Sequence, residues 1–210
     1  MTALIIALPE EAEGIEGHPI YLSGCGKVNA TIATMKAIHD GHDLIINYGS
    51  AGTVSDVTGL VEVTGYVDRD MDARALKCEL GQTPFEDGVM IGSKGVVCGS
   101  GDKFATSKPK IECDIVDMEA YAIAKTCLKE KINFRCFKYI SDSADENMAG
   151  VEIRDYEPLD SFETVLVGET LSYFDTSSIG SNILYSVYSN EKSATKIGGN
   201  LQLVMSSRCY

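Results

Sequence analysis

Short apolar runs that end in glycine turns organise most of the chain. Ala3–Leu8 is a continuous apolar run stopped by Pro9 and two glutamates, Glu10 and Glu11. Such a run suits a strand buried on both faces, as in a parallel sheet. Pro19–Ser23 is a second short run and leads into the turn GCGKVN at Gly24–Asn29. Ala30–His39 then reads as a helix, with Ile32, Met35 and Ile38 or His39 along its apolar face. Leu44–Ile46 opens the next strand, which ends in NYGSAG at Asn47–Gly52. Strand, glycine turn, helix, strand, glycine turn is how an α/β sheet reads when its ligand loops sit at the carboxyl ends of strands.

Further along, Val57–Val67 reads as one long or two broken strands. Asp68–Asp87 is polar and reads as a long surface loop, a kind of segment that is often functional. Val89–Cys98 is strand-like and ends in GSGDKF at Gly99–Phe104. Asp114–Val116 is a short strand before Asp117–Glu130, the strongest helical pattern in the chain. Phe134–Ile140 is a strand ending in SDSAD, and Ser161–Phe174 is an amphipathic helix. Beyond Asp175 the composition turns to Ser, Asn, Thr and Gly. There Ile183–Tyr188 and Leu201–Met205 form either a hairpin or a poorly ordered tail. The expected fold class is α/β: a single three-layer α-β-α domain over residues 1–174 with a mixed, largely parallel central sheet, followed by a C-terminal β-prone extension over 175–210.

Composition narrows the class. The 210 residues are 44% hydrophobic and 23% charged, an ordinary globular balance with enough chain for one sizeable core. The net charge of −13 argues against nucleic acid and anionic membrane surfaces as partners. No apolar run approaches the roughly 20 residues of a membrane helix. The start MTALIIALPEE lacks the basic region of a signal peptide. Seven widely spaced cysteines without a C-x-x-C pair read as reduced thiols in a cytosolic protein, with no metal site.

The glycine turns are ambiguous alone. GCGKVN lacks the Ser or Thr and the spacing of a Walker loop, and Asn29 stands where a dinucleotide fingerprint needs its third glycine. In NYGSAG, Ser50 lies between glycines that permit close approach of a ligand, but a plain strand-to-helix turn has the same composition. Three carboxylates follow strands or open helices: Glu11, Glu119 and Asp142. Any one of them suits a helix cap or a solvated turn. Together they are expected to converge on one edge of a parallel sheet, where α/β folds place ligands.

Taken in order, ALPEE, SGCGKVNA, IINYGSAG, SGDKF, VDMEAYAIA and ISDSAD resemble the 5′-methylthioadenosine/S-adenosylhomocysteine nucleosidases of the purine nucleoside phosphorylase-like superfamily, over roughly Leu4–Phe174. The resemblance implies hydrolysis of the N-glycosidic bond with release of adenine, without cofactor or metal. It makes Glu11 the base that activates water and Asp142 the acid that protonates purine N7, oriented by Ser141. Glu119 binds the ribose hydroxyls, Met118 packs on the sugar and Ser50 holds the ribose side. Phe104 stacks on the adenine, whose edge the backbone of Ala105 reads. A trio of carboxylates suits this bond, because an oxocarbenium-like sugar and an anionic purine both need stabilising as water is deprotonated. The resemblance also implies a purine nucleoside as the partner, a cytoplasmic homodimer, a place in methionine salvage, and Asp68–Asp87 as a contributor to the subunit contact.

Two departures are visible. Lys138 stands where the family carries Arg, keeping the charge but losing the planar fork. The stretch from Glu11 to Gly24 is short for the family and trims the sheet. Purine nucleoside phosphorylase and a non-catalytic nucleoside-binding protein remain alternatives. Asn47, where purine-type phosphorylases place Arg, and Glu11, which repels an anion, favour water over phosphate.

Overall fold

The computed structural model describes residues 1–144, 172–174, 185–187, 192–197 and 200–205. Strand β1 (Thr2–Ile6) pairs in parallel with β2 (Ile20–Leu22) on one side and with β3 (Leu44–Thr53) on the other. Helix α1 (Lys27–His39) joins β2 to β3. Two short strands follow, β4 (Leu60–Glu62) and β5 (Gly65–Asp68), then β6 (Met90–Gly92), β7 (Val97–Ser100) and β8 (Ile115–Asp117). Helix α2 (Ala120–Glu130) leads to the long β9 (Asn133–Ser143), which lies parallel to β3 along its whole length. The nine strands form one mixed, largely parallel sheet, with antiparallel pairs only at β3/β8, β4/β9 and β5/β6.

Alternation along β1 sorts the core onto two faces. Ala3 and Ile5 join Ile45, Cys98, Ile115, Phe134 and the buried sides of both helices, while Leu4 and Ile6 join Ile46, Tyr48 and Phe137 on the other face. Both described α-helices thus cover the same face. The helix expected over Ser161–Phe174 lies mostly outside the described residues, and its last three residues form β10 (Ser172–Phe174) rather than helix.

The expected apolar face of α1 is corrected. Ile32 is 63% and Met35 39% exposed, whereas Ala30, Ala33, Thr34 and Ala37 are buried. Small residues let α1 approach α2 and the sheet closely, so the helix packs by its alanines and leaves Ile32 and Met35 outside, while Ile38 packs half-buried against the core as expected. The helix also begins three residues earlier than the apolar pattern suggests, because Asp102, distant in sequence, accepts the Lys27 N–H at 2.8 Å and caps the first turn.

The tail also pairs differently from expectation. β11 (Tyr185–Val187) is antiparallel to β10, and β13 (Asn200–Met205) is antiparallel to β12 (Lys192–Ile197), a segment read above as the connection of a single hairpin.

Candidate active site

The site begins with a gap along one edge of β3. β9 occupies the other edge throughout. On the near edge β1 pairs with Leu44–Asn47 and β8 with Gly52–Thr53, so among the described residues no strand pairs with Tyr48–Ala51 on that edge. Glu11 fills this place. It sits in a 3-10 turn, Pro9–Ala12, that follows β1, and it is 3% exposed. Its Oε1 accepts the Ser50 N–H at 2.8 Å and the Ser50 hydroxyl at 2.7 Å, and its Oε2 accepts the Leu8 N–H at 3.1 Å. Gly49 makes room: a Cβ there would lie 3.1 Å from Oε1. Both donor groups of Ser50 are therefore engaged with the carboxylate.

Glu119 approaches from the opposite direction. β8 runs antiparallel to β3, so its carboxyl end points back toward the gap that the end of β1 faces. This corrects the expectation of three acids on one edge of a parallel sheet: two strand ends meet head-on, and strand direction cannot be seen in one strand's sequence. Glu119 is 6% exposed, precedes α2 and accepts the Gly26 N–H at 2.9 Å. Burial pushes its carboxyl up, the charge of Asp117 and, less, of Glu11 add to that, and Lys138 and the Gly26 amide oppose it; the carboxyl is pushed up to about 7. Cys25, in the adjoining glycine turn, has its thiol pushed up by burial and then by the charges of Glu119 and Glu11. The charge of Glu11 thus reaches both Glu119 and Cys25.

Beneath them lies a buried ion pair. Lys138 Nζ is 2.8 Å from Asp117 Oδ2, and the side chains are 2% and 1% exposed. Asp117 also accepts the Ser100 hydroxyl at 2.5 Å and the Ala120 N–H at 2.9 Å, and Ser100 accepts the Tyr121 N–H, so the pair is built into the start of α2. Burial alone would raise the Asp117 carboxyl, but Lys138 outweighs it and holds it below the usual range. Burial likewise works against the Lys138 ammonium, yet Asp117 keeps it well above its ordinary value. The pair stays charged, and each partner compensates the other's desolvation.

The backbone of Asp142 lies on β9 in register with Gly52, which in turn pairs with Val116 of β8, at a β-bulge after Ala51. The three strands thus bring the Asp142 position close to Ser50, which lies within β3 and not in the glycine turn expected there, and to the start of the DMEA segment. Ser141 is exposed and Met118 half-buried. Phe104 is 79% exposed, and Ala105 packs against the cluster of Val67, Ile111, Cys113 and Val116. Asn47 is turned into the core, donating to the Ile5 carbonyl at 3.0 Å and accepting from the Cys136 thiol at 3.3 Å. Among the described residues, no group of three His, Cys, Asp or Glu side chains is arranged to hold a metal.

Sequence reading missed one group. Lys27 lies between Asp68, Asp70 and Asp102, and Arg69 binds the carbonyls of Gly99, Gly101, Lys103 and Asp117. The only signal was the lysine of GCGKVN beside an acidic β5 end, which spacing alone does not connect.

The chain matches the model of the phosphorylase superfamily over residues 55–162. It is 33% identical over 157 residues to the 5′-methylthioadenosine/S-adenosylhomocysteine nucleosidase of Staphylococcus carnosus, covering 60% of this chain and 68% of that one. The chain belongs to this nucleosidase family of the phosphorylase superfamily. The nucleosidase of Haemophilus influenzae is 31% identical over 180 residues, 69% of this chain and 77% of that protein. Among solved structures, the Neisseria meningitidis nucleosidase in complex with methylthio-immucillin-A has a TM-score of 0.61 at 28% identity, covering 70% of this chain and 87% of that one. The futalosine hydrolase of Helicobacter pylori, at 22% identity and TM-score 0.63, shares the fold over 70% of this chain and 86% of its own.

Proposed function

We propose that this chain hydrolyses the N-glycosidic bond of 5′-methylthioadenosine or S-adenosylhomocysteine and releases adenine. The observation that carries the reading is the pair of buried carboxylates Glu11 and Glu119, brought from opposite directions to the break in strand pairing along β3, in a chain similar to proteins named for that activity. Glu11 takes a proton from water, and the water oxygen bonds to C1′ as the C1′–N9 electron pair leaves with the purine. Three donors hold the Glu11 carboxylate in one orientation, and holding a reacting group in place is a large part of catalysis. Glu119 accepts from the ribose hydroxyls. Asp142, oriented by Ser141, delivers the proton to purine N7 and neutralises the leaving base. Phe104 stacks on the adenine, the Ala105 backbone reads its edge, Met118 packs on the sugar, and Ser50 serves the ribose side through its hold on Glu11.

Water is favoured over phosphate as nucleophile. Asn47 is turned into the core, and the buried Glu11 carboxylate beside the gap repels an anion. The free described cysteines suit a cytoplasmic setting, and a homodimer working in methionine salvage fits the family resemblance.

Adenine release from methylthioadenosine in phosphate-free buffer tests the reading. Turnover is expected without phosphate and unchanged on adding it. Release that requires phosphate overturns hydrolysis in favour of phosphorolysis. Tight binding without release overturns catalysis in favour of a nucleoside-binding protein.

A further inference from the structure

The base-binding loop has a built anchor outside the reacting groups. Lys27 opens α1, and its ammonium lies 2.8 Å from Asp68 Oδ1, 2.5 Å from Asp70 Oδ1 and 3.7 Å from Asp102 Oδ2. Asp68 ends β5 and Asp70 follows it, while Asp102 belongs to the loop that carries Phe104 and Ala105. Backbone bonds close the triangle: Asp102 Oδ1 accepts the Lys27 N–H at 2.8 Å, and Asp70 Oδ2 accepts the Asp102 N–H at 2.7 Å. The residue before Lys27 is Gly26, whose N–H holds Glu119. One cation therefore joins the turn that fixes Glu119, the end of β5 and the GDKF loop. The Lys27 and Asp68 side chains are only 16% and 7% exposed, so their contact is poorly screened by water.

We propose that Lys27 is a positioning residue that sets affinity for the adenine base by holding the Asp102–Ala105 loop against the end of β5. The proposal rests on the nucleosidase reading. Without the ammonium, Asp68, Asp70 and Asp102 repel one another at close range; Asp68 is held in β5, and Asp102, the most exposed of the three, moves away and takes Phe104 and Ala105 with it.

Adenine binding by titration calorimetry and methylthioadenosine kinetics test this on the full chain. For Lys27→Met, the adenine Kd is expected to rise at least tenfold, with KM rising by more than kcat falls. Lys27→Arg is expected to stay within about threefold of wild type, and adding Asp70→Asn to Lys27→Met is expected to recover part of the lost affinity, which a packing role would not. If Lys27→Met does not fold by circular dichroism, Asp102→Ala serves instead, because Asp102 is half exposed and its loss leaves β5 paired; it too is expected to weaken adenine tenfold. A folded variant that binds adenine within twofold of wild type, or that loses only kcat, overturns this inference alone. A wild-type chain that binds no adenine overturns it together with the nucleosidase reading.

Discussion

Glu119→Gln gives the sharpest test of the site's electrostatics. The Glu119 carboxyl moves from an ordinary 4.5 to about 7 in the folded chain, first through burial and then through the charge of Asp117. At about 1.4 kcal/mol per unit, that corresponds to roughly 3 kcal/mol. Between these two values the folded chain keeps a proton that the unfolded chain has lost, so stability falls as pH rises from 4.5 to about 7 and stays low above it. Glutamine keeps the acceptor for the Gly26 N–H and removes the titration. The extra NH₂ group has a small cost of its own, but that cost is the same at every pH. The variant is therefore expected to gain roughly 2–3 kcal/mol relative to wild type between pH 5 and pH 8. Urea denaturation of both proteins at the two pH values, at one ionic strength, measures this double difference. Titrating groups that do not feel the Glu119 charge cancel in it. A difference within about 0.5 kcal/mol of zero would refute the argument that Glu119 is held protonated by its surroundings.

Two other substitutions probe the floor and the wall of the site. Lys138→Met strands the Asp117 charge in the interior and is expected to destabilise the fold by about 3–5 kcal/mol, with most of that recovered by adding Asp117→Asn; urea melts of the single and double variants decide it. Gly49→Ala puts a methyl group 3.1 Å from Glu11 Oε1, so the carboxylate must shift by a few tenths of an ångström; kcat for adenine release is expected to fall about tenfold or more, with only a small change in melting temperature, and an unchanged kcat would separate Glu11 from the chemistry.

Much of the scaffold was legible because burial leaves a local trace. Ala3–Leu8 and Leu44–Ile46 are apolar on both faces of their strands, Phe134–Ile140 is apolar except for Arg135 and Lys138, and each became a strand of the parallel part of the sheet. The α1 face was misread because alanine carries little apolar signal, although it is what permits close packing with α2. Ile32 and Met35 carry a strong signal and stay outside. The pairing of the tail strands was misread because β-propensity marks strands without naming their partners.

By itself the sequence determined which residue types were available for chemistry. It placed Glu11, Glu119 and Asp142 after apolar strands and Ser50 between glycines, and the order of its motifs carried the family. Only the tertiary structure decided that β8 runs against β3, so that Glu119 faces Glu11 across a break in strand pairing. It alone made Lys138 the partner of Asp117, and Lys27 the link between two loops. Strand direction and long-range ion pairs depend on chain separated by tens of residues. Local periodicity reports burial within one element, and no local pattern encodes which distant charge will arrive to compensate a buried one.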